Sequence, residues 1–186
     1  MERTQLSVVA LSELPRLGFK GRGTLPAMQK RGIVAENRPN HAFRQGNGVL
    51  CMVLAASEVF LLGPLQAEEN VFLALEKEWR IEDGERTYPM PRRHSHAWFA
   101  VQGDAAPEML AKLCAVDLRP CRFDDLSIAQ TSVAWINSIV LRADLAERLT
   151  YHVLADSASA AYMLSCLIDS AGEFGGSVGE ARSLVS

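Results

Sequence analysis

The chain has 186 residues, enough for one large domain or two small lobes, and 48% of them are hydrophobic, as in an ordinary globular protein. With 19 basic against 22 acidic residues the net charge is −3, which excludes the strongly basic surface that nucleic acid or an anionic membrane selects. The longest apolar run, Val49–Ala56, is too short to cross a bilayer, and the N-terminal residues lack the apolar core of a signal peptide, so a cytoplasmic protein is expected.

Leu6–Ala10 reads as a short strand. Arg16–Lys20 reads as a second, ending in the glycine turn Gly21–Gly23. Thr24 is placed to cap a helix reaching Lys30, with Pro26 in the first turn, where amide protons lack partners anyway, and Gly32 as the stop. A polar stretch follows, with Arg38-Pro39-Asn40 as a turn. Val49–Ala55 and Val59–Leu62 then form a hairpin about Ala56-Ser57-Glu58, closed by Gly63-Pro64. A helix is predicted over 67–79, with Glu68 and Glu69 at its positive end and Phe72, Leu75 and Trp79 as its apolar stripe. The charged run Glu76–Arg86, with Asp83-Gly84 and then Pro89 and Pro91, reads as a joint between two halves, and Trp79 as the side chain packing them together.

The second half repeats the plan. Ala97–Gln102 is a strand, Gly103 a turn, Asp104 a cap, and Ala105–Leu113 a helix carrying Met109, Leu110 and Leu113. After the irregular stretch Asp117–Asp125, Ser127–Trp135 and Ser138–Arg142 suggest a hairpin turning at Ile136-Asn137. Tyr151–Leu154 is a strand. Asp156 or Ser157 caps a helix to about Ala171, with Leu164, Leu167, Ile168 and Ala171 on one face. Gly172, Gly175, Gly176 and Gly179 mark a fraying tail. The segments Phe19–Met28 and Val101–Leu110 align on Gly21 and Gly103, 82 residues apart. The expected fold is therefore α+β: two related β-α-β-β-α lobes, each with helices packed on a mixed or antiparallel sheet. Its divisions are a first lobe over 1–80, a charged and proline-containing linker over 81–94, a second lobe over 95–175 and a flexible tail over 176–186.

Chemistry-bearing residues do not form a recognisable set. Gly21-x-Gly23 between Lys20 and Arg22 has the strand–turn–helix setting of a phosphate loop. Pro26 stands where the dinucleotide fingerprint needs its third glycine, so a structural turn is the plainer reading. His94 and His96 would share a side if both lay in one strand, as two metal ligands do. His41, His152, Asp117 and Cys114 are further ligands by type only. No G-x-S-x-G is present, and Asp124-Asp125 reads as a polar loop. Cys51, Cys114, Cys121 and Cys166 contain no C-x-x-C pair and read as buried free thiols. Trp98, Phe99 and Trp135 read as core or interface aromatics. No catalytic residue and no metal ligand is assigned, and cofactor-binding residues stay open.

Two stretches carry a family resemblance. One is Leu17-Gly18-Phe19-Lys20-Gly21-Arg22-Gly23, followed by Arg38-Pro39-Asn40 and the Val49–Leu62 hairpin. The other is Ser95-His96-Ala97-Trp98-Phe99-Ala100-Val101-Gln102-Gly103, followed by Leu110, Cys114, Asp117-Leu118, Ala129-Gln130-Thr131 and Glu173-Phe174-Gly175. Over about residues 15–175 the chain resembles the gamma subunit of heterotetrameric sarcosine oxidase. That subunit is related to the folate-binding aminomethyltransferases, the T-proteins of the glycine cleavage system. The resemblance implies a non-catalytic, assembly-stabilising subunit on the alpha subunit, with beta and delta subunits completing the complex. That complex oxidises sarcosine to glycine and passes a one-carbon unit to tetrahydrofolate. FAD, FMN, NAD and tetrahydrofolate are expected on the complex and none on this chain alone, whose own oligomeric state when made by itself, a homodimer included, stays open. One alternative is a free-standing tetrahydrofolate-binding or aminomethyltransferase-like protein using Asp104, Trp98 and Trp135. Another is a metal-dependent enzyme using His94 and His96.

Overall fold

A computed structural model describes residues 5–66, 70–80 and 84–185. The contacts divide the chain into two units, Glu13–His94 and a second made of Met1–Ser12 with Ser95–Ser186. The first strand, β1 (Ser7–Ala10), thus belongs with the second half.

The Glu13–His94 unit is a five-stranded sheet. Its elements are β2 (Arg16–Lys20), α1 (Thr24–Lys30), β3 (His41–Arg44), β4 (Leu50–Ala55), β5 (Glu58–Leu62), α2 (Leu73–Glu78) and β6 (Tyr88–Pro91). The order is β3-β4-β5-β2-β6, antiparallel throughout. The other unit holds β1, β7 (His96–Gln102), α3 (Ala106–Leu110), β8 (Ile128–Val133), β9 (Ile136–Arg142), β10 (Thr150–Asp156), α4 (Ala160–Gly172) and the short β11 (Ser177–Val178). Its order is β11-β1-β7-β10-β9-β8, antiparallel except for β1 with β11.

Each repeat runs strand, strand, helix, three strands, helix, and the two repeats exchange their first strands. β1 pairs with β7, and β6 pairs with β2. The registers correspond: Ser7 stands opposite Gln102, just before Gly103, and Tyr88 opposite Lys20, just before Gly21. The two glycines are where the exchanged strands enter. A Cβ on Gly21 (φ +149°) would lie 2.1 Å from the Arg86 carbonyl oxygen, and one on Gly103 (φ +134°) 2.9 Å from that of Gln5. Only glycine tolerates both the backbone angle and the approach.

This exchange corrects three sequence expectations. Residues 1–80 are not one lobe, because β1 hydrogen-bonds in the other sheet. The stretch 81–94 contains β6, and residues 81–83, including Asp83, lie outside the described residues. A strand built as Tyr-Pro-Met-Pro shows no hydrophobic period. It sits at a sheet edge, where proline's missing N–H costs no ladder bond. The tail 176–186 contains β11 and a 3-10 turn, Ala181–Leu184, whose Leu184 is buried and accepts from Gln102 Nε2 at 3.1 Å.

The cores lie between each sheet and its helices. Phe99, Val101, Val140, Tyr151 and Val153 are buried with Met109 and Leu110 of α3 and Met163 and Leu167 of α4. Leu17, Phe19, Val53, Val59 and Leu61 are buried with Leu25 and Met28 of α1. Around α2 the expected stripe is only partly helical: Phe72 and Trp79 are buried but flank the helix, which has no buried residue of its own. Glu68 and Glu69 fall outside the described residues. Trp79 is a core residue of its own unit, 4.4 Å from the Phe19 ring, under the Arg31 guanidinium at 4.1 Å, with its Nε1 donating to Thr87 O at 3.3 Å.

The expected helix caps differ too. α1 begins after Gly23 with no side-chain cap. Thr24 lies inside the helix, and its Oγ1 donates to Gly21 O at 2.8 Å and meets Thr87 Oγ1 at 2.7 Å. α3 begins after Ala105, so its N-cap position falls one residue beyond Asp104. Asp156 does act as a cap, accepting from the Ala158 amide at 2.8 Å.

Candidate functional site

The glycine loop is committed to the fold. Gly21 N–H donates to Ser57 O at 2.8 Å, Gly23 N–H to Arg86 O at 3.2 Å and Thr24 N–H to Gly21 O at 3.1 Å. Lys20 pairs with Glu58 at 2.9 Å. A Cβ on Gly23 would lie 1.7 Å from Glu85 O, so the glycines admit a protein strand where a phosphate loop admits a ligand.

The histidines are spread over both units. His94 is exposed in a turn before β7, while His96 opens that strand with Nδ1 2.9 Å from Ser95 Oγ, so the two do not share a strand face. His152 is buried on β10 and its Nδ1 accepts from Trp98 Nε1 at 3.0 Å, which places its proton on Nε2. His41 lies on β3 of the other unit, Cys114 in a core, and exposed Asp117 is taken by Arg119 at 2.6 Å. That pairing holds the Asp117 carboxyl down at about 2. Among the described residues no three of His, Cys, Asp and Glu gather in metal-binding geometry. Asp124 and Asp125 are exposed, the latter accepting from the Asp144 amide at 2.8 Å.

The residues considered for a pterin site are not assembled. Trp98 is buried in β7, Asp104 follows that strand's far end, and Trp135 sits on the β8–β9 turn. Trp98 aligns with Leu154, Ile139 and Gln130 across the sheet, leaving Trp135 three strands away and near the opposite end from Asp104.

The four cysteines are free thiols, but only Cys51 and Cys114 are buried; Cys121 is exposed and Cys166 half-buried. Burial pushes the Cys51 thiol up to about 12.

What the second unit brings together was only partly visible in the sequence. A cavity of about 390 Å³ on the face away from the helices is lined by His96, Gln130, Thr131, Asn137, Ser138 and Leu154. Its polar groups are amides, hydroxyls and one imidazole, with no carboxylate. A second cavity of about 390 Å³, by the helices, is walled by Leu113, Cys114, Ala134, Trp135, Tyr162 and Cys166. The hairpin turn between them lies at Ala134-Trp135, two residues before the expected Ile136-Asn137. Both turn residues have left-handed φ, +48° and +68°, as a tight two-residue hairpin turn requires. Trp135 is 93% exposed. Ala-Trp carries none of the Asn-Gly chemistry that signals such a turn, and the nearby Asn is Asn137, inside β9.

The first unit has the corresponding hollow, about 430 Å³, between the end of α1, the β3–β4 turn and α2. There the Gln45 amide clamps Val34, accepting from its N–H at 2.8 Å and donating to its carbonyl at 2.9 Å.

No protein-family model matches the chain, and no curated protein matches it in sequence. Solved structures do match in fold. A chain of heterotetrameric sarcosine oxidase from Corynebacterium sp. U-96 superposes with TM-score 0.70 at 19% identity, over 91% of this chain and 85% of that one. The two share a fold. Aminomethyltransferase T of the glycine cleavage system from Bartonella henselae superposes with TM-score 0.67 at 13% identity, over 98% of this chain but 50% of that chain. The α+β architecture of this chain is thus that of a sarcosine oxidase chain and of half an aminomethyltransferase. Among the described residues no helix is long and apolar enough to cross a membrane.

Proposed function

We propose that this chain is a non-catalytic subunit of a multi-subunit, sarcosine-oxidase-type flavoenzyme. In that role it corresponds to the gamma subunit and stabilises the alpha subunit, with beta and delta completing the assembly. The observation carrying this reading is the match in extent. The chain covers 85% of a chain of a heterotetrameric enzyme, and that chain covers nearly all of it. FAD, FMN, NAD and tetrahydrofolate would then belong to the complex, and sarcosine or another N-methylated amine would be its substrate.

The test is co-purification. The chain is expressed with the flavoprotein genes of its genomic neighbourhood and recovered through a tag. A flavin spectrum in the eluate, with sarcosine-dependent peroxide formation, is the expected result. A colourless eluate containing this chain alone would sink the proposal. The second reading, a free-standing tetrahydrofolate-binding protein, is favoured by the aminomethyltransferase match over 98% of the chain. It predicts saturable heat on calorimetric titration with tetrahydrofolate, which the subunit reading does not.

A further inference from the structure

We propose that the open edge of β8 is the surface on which a partner polypeptide docks, as an extended strand added to the sheet. This rests on the subunit reading and specifies where the partner binds. Sheet edges expose unpaired backbone donors and acceptors, and proteins blunt them with charge, proline or shortness. Among the described residues, three of the four terminal strands are blunted that way. β3 is four residues long and ends in Arg44. β6 carries Pro89 and Pro91, and β11 is two residues long. β8 is the exception: it has six residues, and the stretch 127–141 around it contains no charged side chain and no proline. β3 is the control within the same molecule, because it holds the same place in the other sheet.

Two further observations point to a strand as the occupant. An incoming strand directs alternate side chains to opposite faces of the sheet. Beside β8 each face has its own cavity, one polar and lined by Gln130 and Asn137, the other walled by Trp135 and Tyr162. The strand that fits alternates uncharged polar residues with large apolar ones. At the end of β8, Trp135 is held in solvent by a left-handed turn, an arrangement that costs free energy in the isolated chain and suits an interface anchor. Likeness to a chain of a hetero-oligomer favours a different polypeptide over a second copy.

The experiment uses the co-purified complex and three forms of this chain: wild type, Ser132→Lys and Trp135→Ala. Ser132 is exposed on β8, and Trp135 is solvent-exposed, so both variants keep the fold and thermal midpoint of the isolated chain. Ser132→Lys is expected to weaken association about tenfold, by placing an unpaired charge on the edge. Trp135→Ala is expected to weaken it about 30-fold, the loss typical of an anchor. Amide exchange in the wild-type complex slows over 128–133 and not over 41–44. If the wild type captures the flavoprotein while both variants bind equally well and 128–133 exchanges unchanged, the β8 surface is wrong and the subunit reading stands. If the wild type captures nothing, the subunit reading fails and this proposal with it. If the isolated chain dimerises and Ser132→Lys makes it monomeric, the occupant is a second copy and the proposal of a different polypeptide is overturned.

Discussion

At Gly21 a methyl group would have to share space with the Arg86 carbonyl, and at Gly103 with that of Gln5. Gly21→Ala and Gly103→Ala should each lower stability by about 1–3 kcal/mol, through left-handed strain and displaced backbone. Gly46→Ala, with open space and no positive φ, should change it by less than about 0.5 kcal/mol. Urea unfolding of the three variants measures both. Glu85 bears on the same crossing point. Burial raises its carboxyl, but hydrogen bonds and charge from Arg31, at 2.8 Å, and Lys30, at 3.2 Å, outweigh it and hold it below the usual carboxylate range. A carboxyl depressed in the folded state stabilises fully above its unfolded value and loses that contribution as pH falls through the folded one. The thermal midpoint of the wild type should therefore fall more steeply with acid, below the ordinary Glu value of about 4.3, than that of Glu85→Gln. The thiols give a further check. In the native protein Cys121 should alkylate first, while Cys51, buried and raised to about 12, should react only on unfolding.

Among the elements, the hairpins read from sequence to different depths. Val49–Leu62 was legible because two apolar runs flank a small polar turn; the structure has β4 and β5 there, turning at Ala56-Ser57. The β8–β9 turn was misplaced because its left-handed residues are Ala134 and Trp135. Replacing that pair with Asn-Gly, the combination such a turn prefers, should stabilise the isolated chain by about 1 kcal/mol while abolishing the Trp135 contact with a partner. Thermal unfolding and co-purification, run on the same double variant, should therefore move in opposite directions. The irregular segment before β8 is pinned by Tyr151, whose hydroxyl donates to Leu118 O at 2.6 Å inside the core. Tyr151→Phe leaves that carbonyl unpaired and should cost about 1–3 kcal/mol, read by denaturant midpoint.

For the whole molecule, the doubled plan came from local signals: paired glycines before short helices, apolar periodicity, and turn residues. Each depends on a few neighbouring side chains and their backbone angles. The same holds for the α+β class and for most of the core, since Phe19, Val53, Phe99 and Val153 are apolar whichever sheet receives them. Strand partnership is different. Ser-Val-Val-Ala presents the same alternating faces to β2 or β7, and Tyr-Pro-Met-Pro presents no period at all, so neither could announce that the repeats exchange their first strands. The open edge of β8 is likewise a property of sheet order: the uncharged stretch 127–141 is visible in the sequence, but an interior strand could carry it equally well. By itself the sequence determined the repeat, the class and the glycine turns, because these are dictated by sterics and burial within a short span. Tertiary structure decided which strands pair, where Trp135 stands and which edge remains open, because hydrogen-bond partners far apart in the chain are chosen only when the sheets assemble.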